Sequence, residues 1–457
     1  MNLRLFKDWI RRFACSAVAG AAIVTVVRAA GFLLVLGYAL RKLPPAEIGL
    51  WYVMSTIAGM AGIIELGFGG TLSRYASYYA AGVATIPRLG VGPGVGELPP
   101  NVDALAGLVL VSRRLYRVFG ALVGAIMLVA WLGWLRWGSA PNSVTLAHSL
   151  WFLFFAAGTA LNMTGSFWPA MVFGLNHVRS FNGFTLWGLI VDYGAAFLIL
   201  VAGGGIEALI AGQLLVGFVP RFLARRLVTR LLKDGQPSAA PALTWVDLWP
   251  MSWRSGAVGL SSFICLQGTV YLCSFYADLR TTACYGFSMQ LAVMLHGFSA
   301  IWLWVKHPEI SLLRGRGDGK AASRVFWTRL PLSLASYAVG AVLSIPAMRV
   351  LLNLLGSQTD LLPAAQLVAL FGVVGLDLVV GHHSAILQTG NEAPHLKAGL
   401  LSAGLTLSFV AILAPVLGVW GIILAPVCAQ LPFNYWWTPM LCWRRLLGSE
   451  APLAPSG

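Results

Sequence analysis

Long apolar runs separated by short polar turns are the feature that most limits what this chain can fold into. Each run is about 20 residues long, which is the length that an α-helix needs to cross the hydrocarbon core of a bilayer. Hydrophobic residues make up 58% of the 457 residues, and charged residues only 10%. A transmembrane barrel would instead show short segments of alternating polarity. The pattern therefore predicts an all-α polytopic membrane protein.

Twelve transmembrane helices are expected. Their predicted bounds are 14–40, 49–67, 114–135, 146–173, 181–202, 206–227, 252–276, 283–305, 329–355, 363–388, 396–416 and 418–441. The first apolar run is too long for the h-region of a cleavable signal peptide, so we expect this span to be retained. Trp131, Trp134 and Trp137, at one end of the third span, are typical of side chains that anchor a helix at the membrane interface.

Lysine and arginine are distributed unevenly between the two sides of this topology. With the N-terminus inside, 25 of the 31 basic residues fall on the cytoplasmic side, five fall in outer loops, and Arg28 lies within the membrane. Cytoplasmic loops of membrane proteins carry such an excess, so both termini are predicted to be cytoplasmic. The same bias explains the net charge of +15. The expected partner is thus the lipid bilayer, and no nucleic acid is expected.

The two halves of the chain look related. A shift of 215 residues places Asn162 on Asp377 and Gly203 on Gly418, within segments of the same span pattern. Six spans in each half would make the repeat parallel, with a pseudo-two-fold axis along the membrane normal and a central cavity. The predicted domains are an N-terminal half, a cytoplasmic linker and a C-terminal half, at residues 1–235, 236–250 and 251–457.

Few strongly polar residues fall within the predicted spans, and a charge in hydrocarbon is costly enough to suggest a function. Arg28 is the first candidate, because the guanidinium fork matches the oxygens of a phosphate. The alternative is a structural ion pair with Glu65 or Asp192. Asn162 and Gln267 are candidates for substrate contact, with a hydrogen bond between helices as the alternative for each.

Asp377, His382 and His383 lie close together on the tenth predicted span. They are candidates for a proton relay or a cation site, and Asp192 has similar standing. An interhelical hydrogen bond is the alternative, since five residues of helical spacing leave Asp377 and His382 sharing only part of a face. The six cysteines show no zinc-like spacing, and Walker, HExxH and GxSxG motifs are absent. We therefore expect no enzyme, no resident cofactor and no metal site.

Several short motifs resemble polysaccharide flippases of the Wzx type. They are residues 41–51, Glu65-Leu-Gly-Phe-Gly, Ser73-Arg74-Tyr75, Tyr285-Gly-Phe, His307-Pro-Glu-Ile-Ser311 and Gln388-Thr-Gly-Asn391. Those flippases belong to the superfamily of multidrug/oligosaccharidyl-lipid/polysaccharide (MOP) exporters. One departure is in the seventh span, where members often carry an aspartate and this chain has Gln267.

The resemblance implies export of an undecaprenyl-pyrophosphate-linked oligosaccharide across the bacterial cytoplasmic (inner) membrane, for assembly of O-antigen, capsule or exopolysaccharide. Polysaccharide polymerase and assembly proteins are implied partners, and a H⁺ or Na⁺ gradient is an implied driving force. The predicted residues of the substrate cavity are Arg28, Glu65, Arg74, Asn162 and Gln267. The predicted ion-coupling residues are Asp192, Asp377, His382 and His383.

Three other functions stay open from the sequence. An exporter of cationic drugs or metabolites, similar to the MATE transporters of the same superfamily, would favour acidic and aromatic cavity residues, whereas Arg28 favours an anion. A membrane enzyme of glycan assembly would need a large outer loop, and the longest outer loops here have about ten residues. A membrane scaffold would leave the charges within the spans unexplained.

Overall fold

The computed structural model describes residues 17–65, 67–82, 99–139, 143–232, 245–307, 309–310, 313, 318–388 and 394–447. Helices account for most of these residues, which contain no strand. Eleven helical segments of this described part are long and apolar enough to cross a membrane. The prediction of an all-α polytopic membrane fold is therefore confirmed.

The chain divides into two compact units. The first holds residues 1–136 and 141–256, and the second holds 137–140 and 257–457. The helices that begin in the first unit are α1 (Ala17–Lys42), α2 (Pro45–Ile64), α3 (Phe68–Ala80), α4 (Val102–Trp137), α5 (Leu146–Thr164), α6 (Phe167–Gly174), α7 (Val178–Val201), α8 (Ile206–Leu231) and α9 (Trp245–Cys265). Of the predicted linker, residues 236–244 lie outside the described residues.

The second unit contains the rest of α9 and seven further helices. These are α10 (Gly268–Tyr276), α11 (Leu279–Trp304), α12 (Gly319–Leu355), α13 (Ala364–Gln388), α14 (Leu396–Leu417), α15 (Val419–Gln430) and α16 (Asn434–Leu447). Asp278 caps α11 by accepting a 2.8 Å hydrogen bond from the Thr281 backbone N–H. Hydrogen bonds from the side chain and the backbone of Thr281 hold the pKa of the exposed Asp278 carboxyl below its usual range.

Several helices extend beyond the predicted spans. The third span is predicted to begin at residue 114, but α4 begins at Val102. The sixth is predicted to end at residue 227, but α8 continues to Leu231. The predicted bounds followed the apolar runs, whereas a helix carries its own backbone hydrogen bonds into the polar interface. As a result, arginines that the sequence assigned to loops lie on helices.

The predicted twelfth span, 418–441, is not one continuous helix. A turn at residues 431–433 separates α15 from α16. Pro432 lies in this turn, and a proline interrupts a helix because its nitrogen cannot donate a hydrogen bond. Residue 418 itself is the turn between α14 and α15, where Gly418 has a φ of 57°. Gly203 occupies the corresponding turn between α7 and α8 of the first unit, with a φ of 107°.

The core of the first unit is rich in aromatic rings. Trp131 stacks on Phe152 with 4.3 Å between ring centroids. The exposed fraction is 2% for Trp131 and 0% for Trp134, so the predicted interfacial role of these two residues is wrong. Trp137 is 70% exposed and remains suited to that role. Trp131 is buried because it packs against α5, and the sequence alone does not show which helix packs against it.

In the second unit, a buried apolar cluster joins α11, α12, α13 and α16. It consists of Leu303, Ile310, Ala322, Phe326, Leu330, Ile386, Leu387 and Cys442. The cluster fixes the end of α13 that carries the paired histidines, because Phe326 also packs edge-on against His383 with ring centroids 5.1 Å apart.

Candidate functional site

Arg28 lies near the middle of α1, as the twelfth of its 26 residues. Its side chain is exposed, although the residues before and after it are apolar. Gly31 of α1 lies against the ring of Tyr193 on α7. The Tyr193 hydroxyl donates a 3.0 Å hydrogen bond to the backbone carbonyl of Arg28. The guanidinium thus remains available to a ligand.

Neither of the ion pairs considered for Arg28 is formed. Among the described residues, the Glu65 and Asp192 carboxylates both lie beyond ion-pair distance of its guanidinium. Asp192 lies half-buried on α7, next to Tyr193, and its carboxylate contacts the backbone of α8 at Gly212. This close approach is possible because residue 212 is a glycine, and a Cβ atom there would clash with the Asp192 carboxylate.

Glu65 follows the last residue of α2 and is tied to α4. The Tyr116 hydroxyl donates a 2.5 Å hydrogen bond to Glu65 Oε1. Tyr116 is fully buried, and its ring packs against Phe119 and Phe167 at centroid distances of 5.4 and 5.5 Å. Arg221 of α8 attracts Glu65 electrostatically without forming a direct ion pair within the described chain. The structure therefore places Glu65 beside a second group of cations, away from Arg28.

Four arginines of α4 and α8 line one cavity of the first unit, which we call the arginine cavity. Its volume is about 530 Å³, and the arginines are Arg113, Arg117, Arg221 and Arg225. The remaining lining residues lie on or beside α5, α6 and α8, and are Leu161, Asn162, Thr164, Gly165, Phe167, Trp168, Phe218 and Phe222. None of the described lining residues is acidic.

Local contacts hold two of these arginines in place. Arg221 donates to Ser166 Oγ from Nε at 3.1 Å and from Nη2 at 2.8 Å, and its Nη1 donates to the Gly217 carbonyl at 2.6 Å. The guanidinium carbon of Arg113 lies 5.9 Å from the ring centroid of Trp168, within the range of a cation–π contact.

Among the predicted cavity residues, only Asn162 lines the arginine cavity. Its Nδ2 donates a 3.0 Å hydrogen bond to the Leu214 carbonyl on α8, which is the interhelical bond considered for it. Arg74 lies half-buried on α3 and is not part of the cavity lining. Gln267 is exposed in the break between α9 and α10.

The four cavity arginines were not singled out by the sequence. The signal was present, because each pair is spaced by four residues and therefore shares one face of a helix. The positive-inside bias also explains these arginines, so their spacing alone does not indicate a binding site.

Asp377 of α13 is buried in the second unit. One of its carboxylate oxygens lies 3.8 Å from Nε2 of His296 on α11. Asp377 also lines a second cavity of about 190 Å³, together with the buried side chains of His395, Ser402, Gln430 and Asn434. Burial lowers the pKa of His395 to about 4. This ring is therefore neutral near pH 7.

The structure does not bring His382 and His383 into the cavity of Asp377. His382 Nε2 lies 2.7 Å from Ser333 Oγ of α12. His383 Nδ1 lies 2.7 Å from the Val379 carbonyl, one turn earlier on its own helix. His382 thus contacts α12, and the His383 ring packs against Phe326 of the same helix. The histidine within ion-pair distance of Asp377 is instead His296. In the described residues there is no group of three His, Cys, Asp or Glu side chains that would hold a metal ion.

Comparison with known proteins gives a fold and no family assignment. No family model matches the chain, and no curated protein matches it. A solved structure described as the inward-facing conformation of a multidrug resistance MATE family transporter of the MOP superfamily matches with a TM-score of 0.64 at 15% identity, over 93% of this chain and 100% of that one. An outward-facing conformation of such a transporter matches with a TM-score of 0.61 at 15% identity, over 95% and 96%.

A third solved structure differs in what its description says of the binding pocket. It is a MOP superfamily transporter from Pyrococcus furiosus, for which reverse polarity of the pocket is said to suggest a different function. It matches with a TM-score of 0.59 at 16% identity, over 94% of this chain and 96% of that one. At these identities the comparisons show that the chain has the fold of these transporters.

Proposed function

We propose that this protein is a flippase that moves a polyprenyl-pyrophosphate-linked oligosaccharide from the cytoplasmic to the outer face of a bacterial inner membrane. The observation that carries the proposal is Arg28, which is exposed on an apolar helix and makes no ion pair with the described residues. A permanent cation at this depth costs free energy unless an anion or water solvates it. An anionic substrate would supply that compensation during transport.

The pyrophosphate of a lipid-linked sugar suits such a cation. An arginine donates two parallel hydrogen bonds to phosphate oxygens, and these charge-assisted bonds are among the strongest in proteins. The polyprenyl tail is apolar and would stay in the bilayer, so only the head group would need a polar path. The resemblance of residues 41–51 and 73–75 to Wzx-type flippases points to the same substrate class.

The fold supports a transport cycle. Its solved neighbours include MATE transporters described as inward-facing and as outward-facing, the two states that alternating access requires. We propose the same alternation here, driven by a H⁺ or Na⁺ gradient. Asp377 and Asp192 are the proposed coupling carboxylates. His382 and His383 are weaker candidates for ion coupling, because their rings contact α12 instead of the cavity of Asp377. The exported unit would then pass to polymerase and assembly proteins.

A cation-coupled exporter of drugs or metabolites is the second candidate. Asp377 favours it, because a buried carboxylate 3.8 Å from His296 provides an anionic group within the second unit. Arg28 disfavours it, because a cationic substrate would be repelled by an unneutralised guanidinium. The two candidates thus differ in the sign of charge that the substrate carries.

Deletion of the gene, followed by analysis of surface glycans and lipid-linked intermediates, tests the proposal. We expect loss of a surface polysaccharide and accumulation of its polyprenyl-linked repeat unit on the cytoplasmic face. Re-expression of Arg28→Ala should fail to restore export, and Arg28→Lys should restore it partly, because lysine keeps the charge and loses the fork. Arg349→Ala, at an exposed arginine of α12, is the matched control. Normal glycans with increased sensitivity to cationic dyes would refute the flippase and favour the second candidate.

A further inference from the structure

We propose that the arginine cavity of the first unit binds the phosphate head group of a membrane lipid from the cytoplasmic leaflet. The site lies within one unit and is separate from Arg28. If the ligand is a polyprenyl pyrophosphate, this inference rests on the proposed function. If the ligand is a phospholipid, it does not.

Charge is the first argument. Arg113 and Arg117 are one turn apart on α4, and Arg221 and Arg225 are one turn apart on α8. Like charges at this spacing repel each other and destabilise the helix. No carboxylate of the described chain forms an ion pair with any of the four. A bound anion would remove the repulsion within each pair and between the pairs.

Hydrogen-bonding geometry is the second argument. Arg221 directs two donors at Ser166 and one at its own helix, so its guanidinium is held in one orientation. The Arg113 guanidinium lies against the Trp168 ring, which limits its movement. Fixed guanidinium groups match the tetrahedral oxygens of phosphate better than mobile ammonium groups do. Arg117 and Arg225 line the same cavity and are exposed, so their donors are accessible to a ligand.

The apolar rim is the third argument. Leu161, Phe218 and Phe222 line the same cavity and are 64%, 50% and 41% exposed. Phe218 and Phe222 stack on each other, but a soluble anion would leave all three side chains exposed, whereas the acyl or prenyl chain of a lipid would cover them. Basic pockets between transmembrane helices on the cytoplasmic side are a known type of site for anionic head groups. The positive-inside distribution predicts that this end of α4 and α8 is cytoplasmic.

Lipid binding by the purified full-length protein tests the site. The chain is placed in nanodiscs of phosphatidylcholine that contain either a small fraction of cardiolipin or a small fraction of undecaprenyl pyrophosphate, and bound lipid is measured by native mass spectrometry. Inorganic phosphate serves as competitor, to separate head-group recognition from binding of the chains.

The variant R117Q/R225Q removes one charge from each helix at the cavity. The matched control R114Q/R230Q removes one exposed charge from each of the same helices outside the lining. Loss of charge-assisted hydrogen bonds should weaken lipid binding by the cavity variant at least about tenfold. The control should stay within about twofold of the original protein, since exposed charges act mainly through screened electrostatics.

The outcomes distinguish cardiolipin from undecaprenyl pyrophosphate as the ligand, and they test this site separately from the flippase proposal. If R117Q/R225Q loses binding of one of the two lipids and R114Q/R230Q does not, the result supports the site and identifies that lipid as its ligand. Equal weakening by both variants, or no weakening by either, would overturn it. If R117Q/R225Q does not fold, R117K/R225K keeps the charge and should bind more weakly than the original protein and more tightly than R225Q alone. Arg28 is not part of the cavity lining, so cardiolipin binding should not depend on it. A protein that exports no glycan but still binds cardiolipin through the cavity arginines would refute the flippase and leave this site standing.

Discussion

Removing the Tyr116 hydroxyl tests whether Glu65 is held as an ionised group inside the first unit. Tyr116→Phe keeps the ring between Phe119 and Phe167 and deletes only the 2.5 Å hydrogen bond to Glu65. Hydrogen bonds to charged groups are worth about 1.5–3 kcal/mol, whereas hydrogen bonds between membrane helices average about 0.6 kcal/mol. We therefore expect the free energy of unfolding to fall by about 2 kcal/mol.

The comparison needs a tyrosine with a neutral acceptor, and Tyr337 provides one. Its hydroxyl donates a 2.8 Å hydrogen bond to the Phe371 carbonyl in the second unit. Tyr337→Phe should cost about 0.6 kcal/mol. Thermal and denaturant unfolding in detergent would measure both variants, and Glu65→Gln would complete a double-mutant cycle with Tyr116→Phe. A cost for Tyr116→Phe no larger than that for Tyr337→Phe would refute an ionised acceptor at Glu65.

Three further perturbations follow from local contacts. Gly31→Ala would place a methyl group against the Tyr193 ring and should lower stability by about 1–3 kcal/mol, whereas Gly62→Ala, with open space around it, should not; apparent Tm values test the pair. The buried His395 has its pKa lowered to about 4, against about 6.5 in an unfolded chain. The unfolded state therefore binds more protons between these values, so stability should fall as pH decreases from about 6.5 to 4, and His395→Gln should flatten the pH dependence of Tm. Asp377→Asn should remove the dependence of transport on the ion gradient without preventing substrate binding, as measured in inverted membrane vesicles; unchanged gradient dependence would exclude Asp377 from coupling.

The helical class and most of the spans could be predicted because hydrocarbon imposes a simple rule on sequence. Every backbone polar group within the bilayer needs an internal partner, so a sufficiently long apolar run there forms a helix. The same rule does not predict where a helix begins or ends outside the hydrocarbon. For this reason α4 begins twelve residues before the predicted start at 114, and the break at residues 431–433 was not anticipated.

The arginine cavity could not be predicted because its parts are distant in the sequence. Arg113 and Arg221 lie on α4 and α8, more than a hundred residues apart. A spacing of four shows that Arg113 and Arg117 share a face, but it does not say which helix packs against that face. The lining of the cavity shows that Arg221 and Arg225 of α8 face the same space as this pair.

The polar residues of α13 also show that the sequence of one helix does not reveal which neighbouring helix each side chain contacts. Asp377 and His382 are five residues apart, which places them about 140° apart around the helix axis at 3.6 residues per turn. That angle allows them to contact different neighbours, and they do: Asp377 meets His296 of α11, while His382 meets Ser333 of α12. The partner of a buried charge therefore comes from another helix. If Asp377 carries the coupling ion, His296 is the residue whose replacement should alter its affinity, and His383 is not.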